Sequence, residues 1–483
     1  MRRTHNDPLI CKRTLGFDTL ILCLLLKGRT MKTTGLRVRF FSVIQHGFLP
    51  ALFVMLFCGT PTLASAQTVD WIRHFGSSVK DFCSSVSADR LGGVYVSGYT
   101  EGNLGGINAG GADAFVSKYD ASGAFEWTAQ LGSSGTEQSA GVSTDGLGNV
   151  YISGTTTGIL GASSFGSYDA FLSKYNSSGT LLWTRQLGTS TSDVSNGVSA
   201  DGLGNVYISG QTYGKLGDAH AGGNDAFLSK YNDSGTLLWT RQLGSSNYWE
   251  GSNAVSVDGL GNVYISGHTE GSLGGTANAG GMDVFLSKYS DSGMLQWTRQ
   301  MGSSADDVSY GVSADRLGNV YVTGQTFGDL GGANAGSSDV FLAKCDDSGT
   351  LQWTRHLGTN SYDVSLGVSV DNLGNAFISG WTGGVLGESS AGYQDAFVSK
   401  YDASGTLQWT EQLGCSSTDR SHGVSVDGLG HVYFAGFTHG DFGGRPVGNS
   451  DVFVGRITDV PEPGVLAMVA CLVLLAGRWG RVR

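Results

Sequence analysis

The stretch DGLGNVYISG fills residues 145–154, returns unchanged at 201–210 and returns again at 258–267. A phrase repeated without one changed letter marks an internally repetitive fold, so its period is the first quantity to extract. Seven tryptophans, Trp71, Trp127, Trp183, Trp239, Trp297, Trp353 and Trp409, follow one another at spacings of 56, 56, 56, 58, 56 and 56 residues. The aspartates opening each DAF or DVF run (Asp113, Asp169, Asp225, Asp283, Asp339, Asp395, Asp451) also number seven, as do the Asp-x-Leu-Gly motifs starting at Asp89, Asp145, Asp201, Asp258, Asp315, Asp371 and Asp427. Within the second unit, AGVSTD (140–145), NVYISG (149–154), DAFLSKY (169–175) and TLLWTRQLG (180–188) are short apolar-alternating runs divided by turn residues, which is strand grammar.

Four strands per unit and seven units predict an all-β chain: a seven-bladed β-propeller of four-stranded blades, A to D. The first Trp strand, VDWIRHFG (69–76), precedes any strand A, and the last strand C, DVFVGRI (451–457), has no Trp strand after it. Pairing the two closes the ring, with an N-terminal strand completing the last blade and leaving no open edge. The fourth place of each A–B turn is Gly (Gly92, Gly148, Gly204, Gly261, Gly318, Gly374, Gly430), which predicts a positive φ there. The pattern VSADGLGNVYISG resembles the seven-bladed beta-propeller (SBBP) repeat family over nearly all of residues 67–459. That resemblance implies an exported propeller and brings no catalytic residue with it.

Both ends read as address labels. Residues 1–30 are an upstream extension if Met31 is the start; a long leader or anchor is the alternative. Residues 31–66 read as a signal peptide: MKTTGLRVRFF is basic, residues 48–59 are apolar, and Ala64-Ser65-Ala66 fits a signal peptidase, leaving Gln67 first. Residues 460–483, VPEPGVLAMVACLVLLAGRWGRVR, resemble the PEP-CTERM sorting signal through Pro461, Glu462 and Pro463, an apolar run and a basic tail. The resemblance implies an exosortase-type sorting enzyme, transient anchoring by a short transmembrane helix, and release or attachment at the surface of a Gram-negative-type bacterium. An ordinary C-terminal anchor is the alternative, and the apolar run Gly464–Gly477, 14 residues, is short of the roughly 20 that span a bilayer.

Composition narrows the partners. The 77 glycines lack a Gly-X-Y period and so mark turns, not collagen. Residues 67–460 hold 18 basic and 38 acidic side chains, a net charge of −20. Such a surface repels nucleic acid and anionic lipid and favours cations. Cys83, Cys345 and Cys415 fall at unrelated repeat positions with no metal-ligand spacing, and they read as incidental.

In such a propeller, A–B and C–D turns share one face, and the longer, varied B–C and D–A loops share the other, where binding is expected. Two residue sets fall there. An acid stands eight residues before each turn aspartate: Asp81, Glu137, Asp193, Glu250, Asp307, Asp363 and Asp419. Seven carboxylates around a channel mouth would suit Ca²⁺, the one cofactor considered; alternatively each caps its own loop. The residue after the strand-B Gly varies inside a fixed frame, as Tyr99, Thr155, Gln211, His268, Gln325, Trp381 and Phe437. Aromatics with amides suit a saccharide or peptide, and inter-blade packing is the plainer reading. The longer spacing adds one residue near Tyr248 and Trp249, a further candidate contact. Asp419, His422 and His439 are a weaker candidate cluster, and Asn108–Val116 shares letters with a calcium nonapeptide but lacks its nine-residue period.

No nucleophile elbow, zincin, Walker or dinucleotide motif occurs. The expectation is therefore a monomeric, exported, non-enzymatic binding or scaffold protein of the cell surface or extracellular matrix, holding an exopolysaccharide or a surface protein. The alternatives are an extracellular glycan-active enzyme using mouth carboxylates, and a purely structural matrix protein. Membrane contact is expected only through the C-terminal segment before processing.

Overall fold

The computed structural model describes residues 67–459 except positions 162, 218, 219, 247 and 388. The labels at Ala64, Ala66, Pro461, Glu462 and Pro463 lie outside the described residues, while the first strand begins at Gln67. Among the described residues, 28 strands form seven four-stranded antiparallel sheets. Blade 1 is Asp81–Ala88, Val94–Thr100, Asp113–Tyr119 and Phe125–Leu131, from inner strand A to outer strand D, and blades 2 to 6 repeat it. Blade 7 is Asp419–Val426, His431–Thr438 and Asp451–Asp459, completed by Gln67–Phe75, with Gln67 opposite Asp459. The predicted closure is thus observed.

Strand C of blade 2, Asp169–Tyr175, has the predicted bounds. Strand A starts earlier than predicted, at Glu137 rather than Ala140, because the acid itself pairs with Thr156 of strand B. The acids therefore open the inner strands and do not sit in free loops.

The apolar core lies between blades. One cluster joins Tyr207, Ala226 and Leu228 of blade 3 to Val255, Ile265 and Phe285 of blade 4, and six others repeat it around the ring. Strand B is buried on both faces, which is why VYISG reads as a nearly continuous apolar run. The repeated Trp residues fasten the seams from outside: Trp183 Nε1 donates to the Asp233 carbonyl of the next blade at 3.0 Å, and Arg185 covers the Trp183 ring while its Nε donates to Gly235 O at 2.7 Å.

The opening phrase is a hairpin device. Asp145 Oδ1 accepts from the backbone N–H groups of Leu147 (2.8 Å) and Asn149 (3.1 Å), and Asn149 Nδ2 donates to Asp145 Oδ2 (2.6 Å). Gly148 has φ +94°, and the same place is positive in all seven blades, as expected. The turn's third residue is left pointing outward: Leu91, Leu147, Leu203, Leu260, Leu317, Leu373 and Leu429 are 66–84% exposed.

Candidate functional site

The channel is shaped by a bulge. In blade 2, Ser139 faces Gly154 and Gly141 faces Ser153, so Ala140 is an extra, unpaired residue; strand A bulges at the same place in all seven blades. A Cβ on Gly154 would lie 1.9 Å from the Gln138 carbonyl oxygen, so the strand-B glycine is what admits the bulge. The bulged residues, Ser84, Ala140, Asn196, Asn253, Tyr310, Leu366 and His422, with the two residues after each, line a central cavity of about 460 Å³.

Two residues before each bulge, strand A pairs with the varied place of strand B: Phe82 with Tyr99, Gln138 with Thr155, Val194 with Gln211, Gly251 with His268, Val308 with Gln325, Val364 with Trp381, and Arg420 with Phe437. The chemistry around this ring is lopsided. Across blades 7 and 1, Phe82 lies between the rings of Tyr99 (5.2 Å) and Phe437 (4.6 Å), and His422 meets its edge at 4.9 Å. From blade 7, the Arg420 guanidinium covers Trp381 of blade 6 at 4.3 Å while its Nε donates to Gln394 Oε1 at 2.8 Å. Burial, reinforced by Arg420, pushes the His422 imidazole down to about 3, so it is neutral near pH 7, and its buried Nε2 has no hydrogen-bond partner.

Blades 3 to 5 carry amides instead. Gln211 and His268 approach from neighbouring blades over Gly251, where a Cβ would be 2.9 Å from Gln211 Oε1 and 3.0 Å from His268 Cε1. Gln325 Nε2 donates to Tyr310 Oη (3.2 Å), while Asn196 and Asn253 donate to the Ser252 and Ser309 carbonyls of the following blades. Burial lowers the His268 pKa as well. One arc is therefore aromatic with two neutral or shielded nitrogen groups, and the opposite arc offers amides and a phenol.

The other expected residues lie elsewhere. The seven acids are fully buried, and each is tied within its own loop: Asp193 Oδ2 accepts from Thr189 N (2.6 Å) and Oγ1 (2.9 Å), with Thr212 Oγ1 bonding its other oxygen. Glu137 binds Ser133 N, Ser133 Oγ and Thr156 Oγ1 in the same way, and Asp363 binds Thr359. Burial raises Asp81, Asp193, Asp307 and Asp363 above the usual carboxylate range, against the lowering effect of those bonds. Among the described residues no three His, Cys, Asp or Glu are grouped to hold a metal. Asp419 is committed to Cys415 N (2.7 Å), and Phe437 stands between His422 (5.4 Å) and His439 (5.3 Å), so that trio does not converge. Tyr248 and Trp249 are half-exposed in the loop joining blades 3 and 4, where Trp249 meets Tyr213 at 6.3 Å, on the opposite side of the ring from Phe437.

Apart from His422, the bulged residues were not among the expected site residues, nor were Phe82 and Arg420. Their signal was present in the frame Asp-x-Ser-x-Gly-Val-Ser of strand A, whose second and fourth places vary from unit to unit.

Seven four-stranded blades around such a channel define a beta-propeller repeat protein. Six segments, 70–105, 126–161, 182–217, 238–274, 296–331 and 352–387, match the SBBP beta-propeller repeat. Each runs from strand D of one blade to the loop after strand B of the next, so the sequence unit straddles the seam. Among curated relatives, an uncharacterized WD repeat-containing protein L264 of Acanthamoeba polyphaga mimivirus is 23% identical over 418 residues, covering 64% of this chain and 30% of its own length. The regulatory protein FlaEY of Caulobacter vibrioides is 25% identical over 302 residues, covering 54% and 31%. The chain thus spans about a third of the length of those relatives. The Neurospora crassa Pan2 WD40 domain overlays 82% of this chain and 96% of its own, with a TM-score of 0.46 and 8% identity.

Proposed function

We propose that this propeller is a non-enzymatic binding module that takes its ligand at the channel mouth on the long-loop face. The observation that carries the reading is the split ring: Tyr99, Phe82, Phe437 and Trp381 on one arc, Gln211, His268, Gln325 and Tyr310 on the other. A ligand with a flat apolar face and a hydroxyl- or amide-bearing edge matches both halves at once, which describes a saccharide chain better than a charged metabolite. The commitment of all seven inner acids to burial in their own blades supports binding over hydrolysis, since a glycosidase needs two carboxylates free to flank the bond. In this reading the protein is exported and acts as a scaffold at the cell surface, with an exopolysaccharide as its ligand.

The test is an array of bacterial surface polysaccharides probed with the full chain. Saturable binding that falls at least tenfold in Trp381→Ala and in Gln211→Ala supports the assignment. Binding that survives both substitutions but disappears in Tyr248→Ala/Trp249→Ala moves the site to the loop between blades 3 and 4.

A further inference from the structure

We propose that the opposite face, the one carrying the A–B turns, docks on a zwitterionic lipid bilayer, with the seven turn leucines as its shallow apolar contact. Exposed leucines on a soluble protein are ordinarily scattered singly. Here one stands at the tip of the same hairpin in each of seven blades, and all are on one face. The turn does not need that side chain: Asp145, Asn149 and Gly148 set its shape through backbone N–H groups and a positive φ. A second apolar circle lies outside the first, at the residue where strand D leaves the C–D turn: Phe125, Leu181, Leu237, Leu295, Leu351 and Leu407 are also exposed.

The way the chain leaves the propeller identifies the occupant. Gln67 and Asp459 are paired at this face, and Asp459 N donates to Gly430 O at 3.0 Å, inside the turn that carries Leu429. Four residues, 460–463, then separate Asp459 from Gly464–Gly477, a run of 14 residues without a charge. Four residues reach at most about 14 Å, so a bilayer that receives this run lies against the leucine face and no other. Fourteen residues are also fewer than the roughly 20 that span comfortably, and a face that itself enters the interface supplements a short anchor.

Charge selects among lipids. The same face carries Asp120, Asp346 and Asp402 on its C–D turns, besides Asp233, Asp291 and Asp347, which pair with Lys174, Lys230 and Lys288, against Arg90 and Arg316 on its A–B turns, and so leans acidic. Anionic headgroups, and equally a second acidic copy of the chain, are disfavoured there. Docked this way, the propeller presents the channel mouth of the long-loop face away from the membrane.

The test uses the full chain with phosphatidylcholine vesicles, followed by hydrogen exchange. The proposal expects the A–B turn amides to exchange at least fivefold more slowly on vesicles while the B–C loops are unchanged. It expects the variant Leu147→Ser/Leu203→Ser/Leu260→Ser/Leu317→Ser, melting at the wild-type temperature, to partition about tenfold more weakly. Replacing one-third of the lipid by phosphatidylglycerol should weaken binding further. A chain that binds vesicles with unprotected A–B turns is held by residues 464–477 alone and overturns the proposal, as does a variant that partitions like wild type. Protection that appears without vesicles and grows with protein concentration would assign the face to self-association and overturn it equally.

Discussion

The two ends of each inner strand follow different rules. At one end all seven strands enter an Asp-x-Leu-Gly turn with the same φ at its last glycine. At the other, the second residue is Phe82, Gln138, Gly251 or Arg420 in four blades and Val in three, and the fourth takes six identities over the seven blades, from Ser84 and Ala140 to Tyr310 and His422. Each end keeps its own pairing with strand B in all seven blades, so backbone geometry does not explain the contrast. Where the side chain serves the fold, or one uniform surface, a single solution is copied seven times. Where side chains converge on the channel, the copies have separate tasks, and blade 7 joins the aromatic arc through Phe437, His422 and Arg420, between Trp381 of blade 6 and Phe82 and Tyr99 of blade 1.

The sharpest way to break this contrast is to attack the bulge that separates the two ends. Gly154→Ala places a methyl 1.9 Å from the Gln138 carbonyl and is expected to cost about 3 kcal/mol or more, read as a lowered urea midpoint. Gly148→Ala acts only at the uniform end, where φ is +94°, and should cost about 1–2 kcal/mol by the same measurement. Asp459→Ala removes the partner of Lys400 Nζ (2.5 Å) and Trp409 Nε1 (3.2 Å), where ring closure replaces a C–D turn, and should cost about 1 kcal/mol. Leu147→Ser should change stability by less than about 0.5 kcal/mol, because its side chain serves no internal packing.

The varied end also has a pH signature. An imidazole held near 3 in the fold but titrating normally when unfolded takes up protons preferentially in the unfolded state between those values. Its contribution to stability is complete above about pH 6.5 and is lost progressively as pH falls toward 3. The melting temperature of His422→Phe should therefore fall less between pH 7 and pH 5 than that of the wild type. Equal slopes would place His422 in solvent.

The architecture was legible because the period is written in large residues: seven evenly spaced Trp residues gave the blade count, and a first Trp strand with no strand A before it, matched to a last strand C with no Trp strand after it, exposed the closure. The varied place of strand B was legible too, since Gln211, His268, Gln325 and Trp381 stand out against a constant frame. Its partners in strand A were harder to read. A bulge adds one residue without interrupting the run, so DVSNGVSA reads as an ordinary alternating strand and gives no sign that Asn196 leaves the ladder. The acids were ambiguous for a related reason: an Asp opening a strand looks the same whether it points into a channel or caps the preceding turn. Burial decided for the cap at Asp193 and its counterparts.

The most direct test of the split ring is the polysaccharide array with wild type, Trp381→Ala and Gln211→Ala measured side by side. The account predicts one saturable ligand whose affinity drops at least tenfold in each variant, one acting through the aromatic arc and one through the amide arc. Binding that depends on neither residue, or no saturable binding at all, would contradict it.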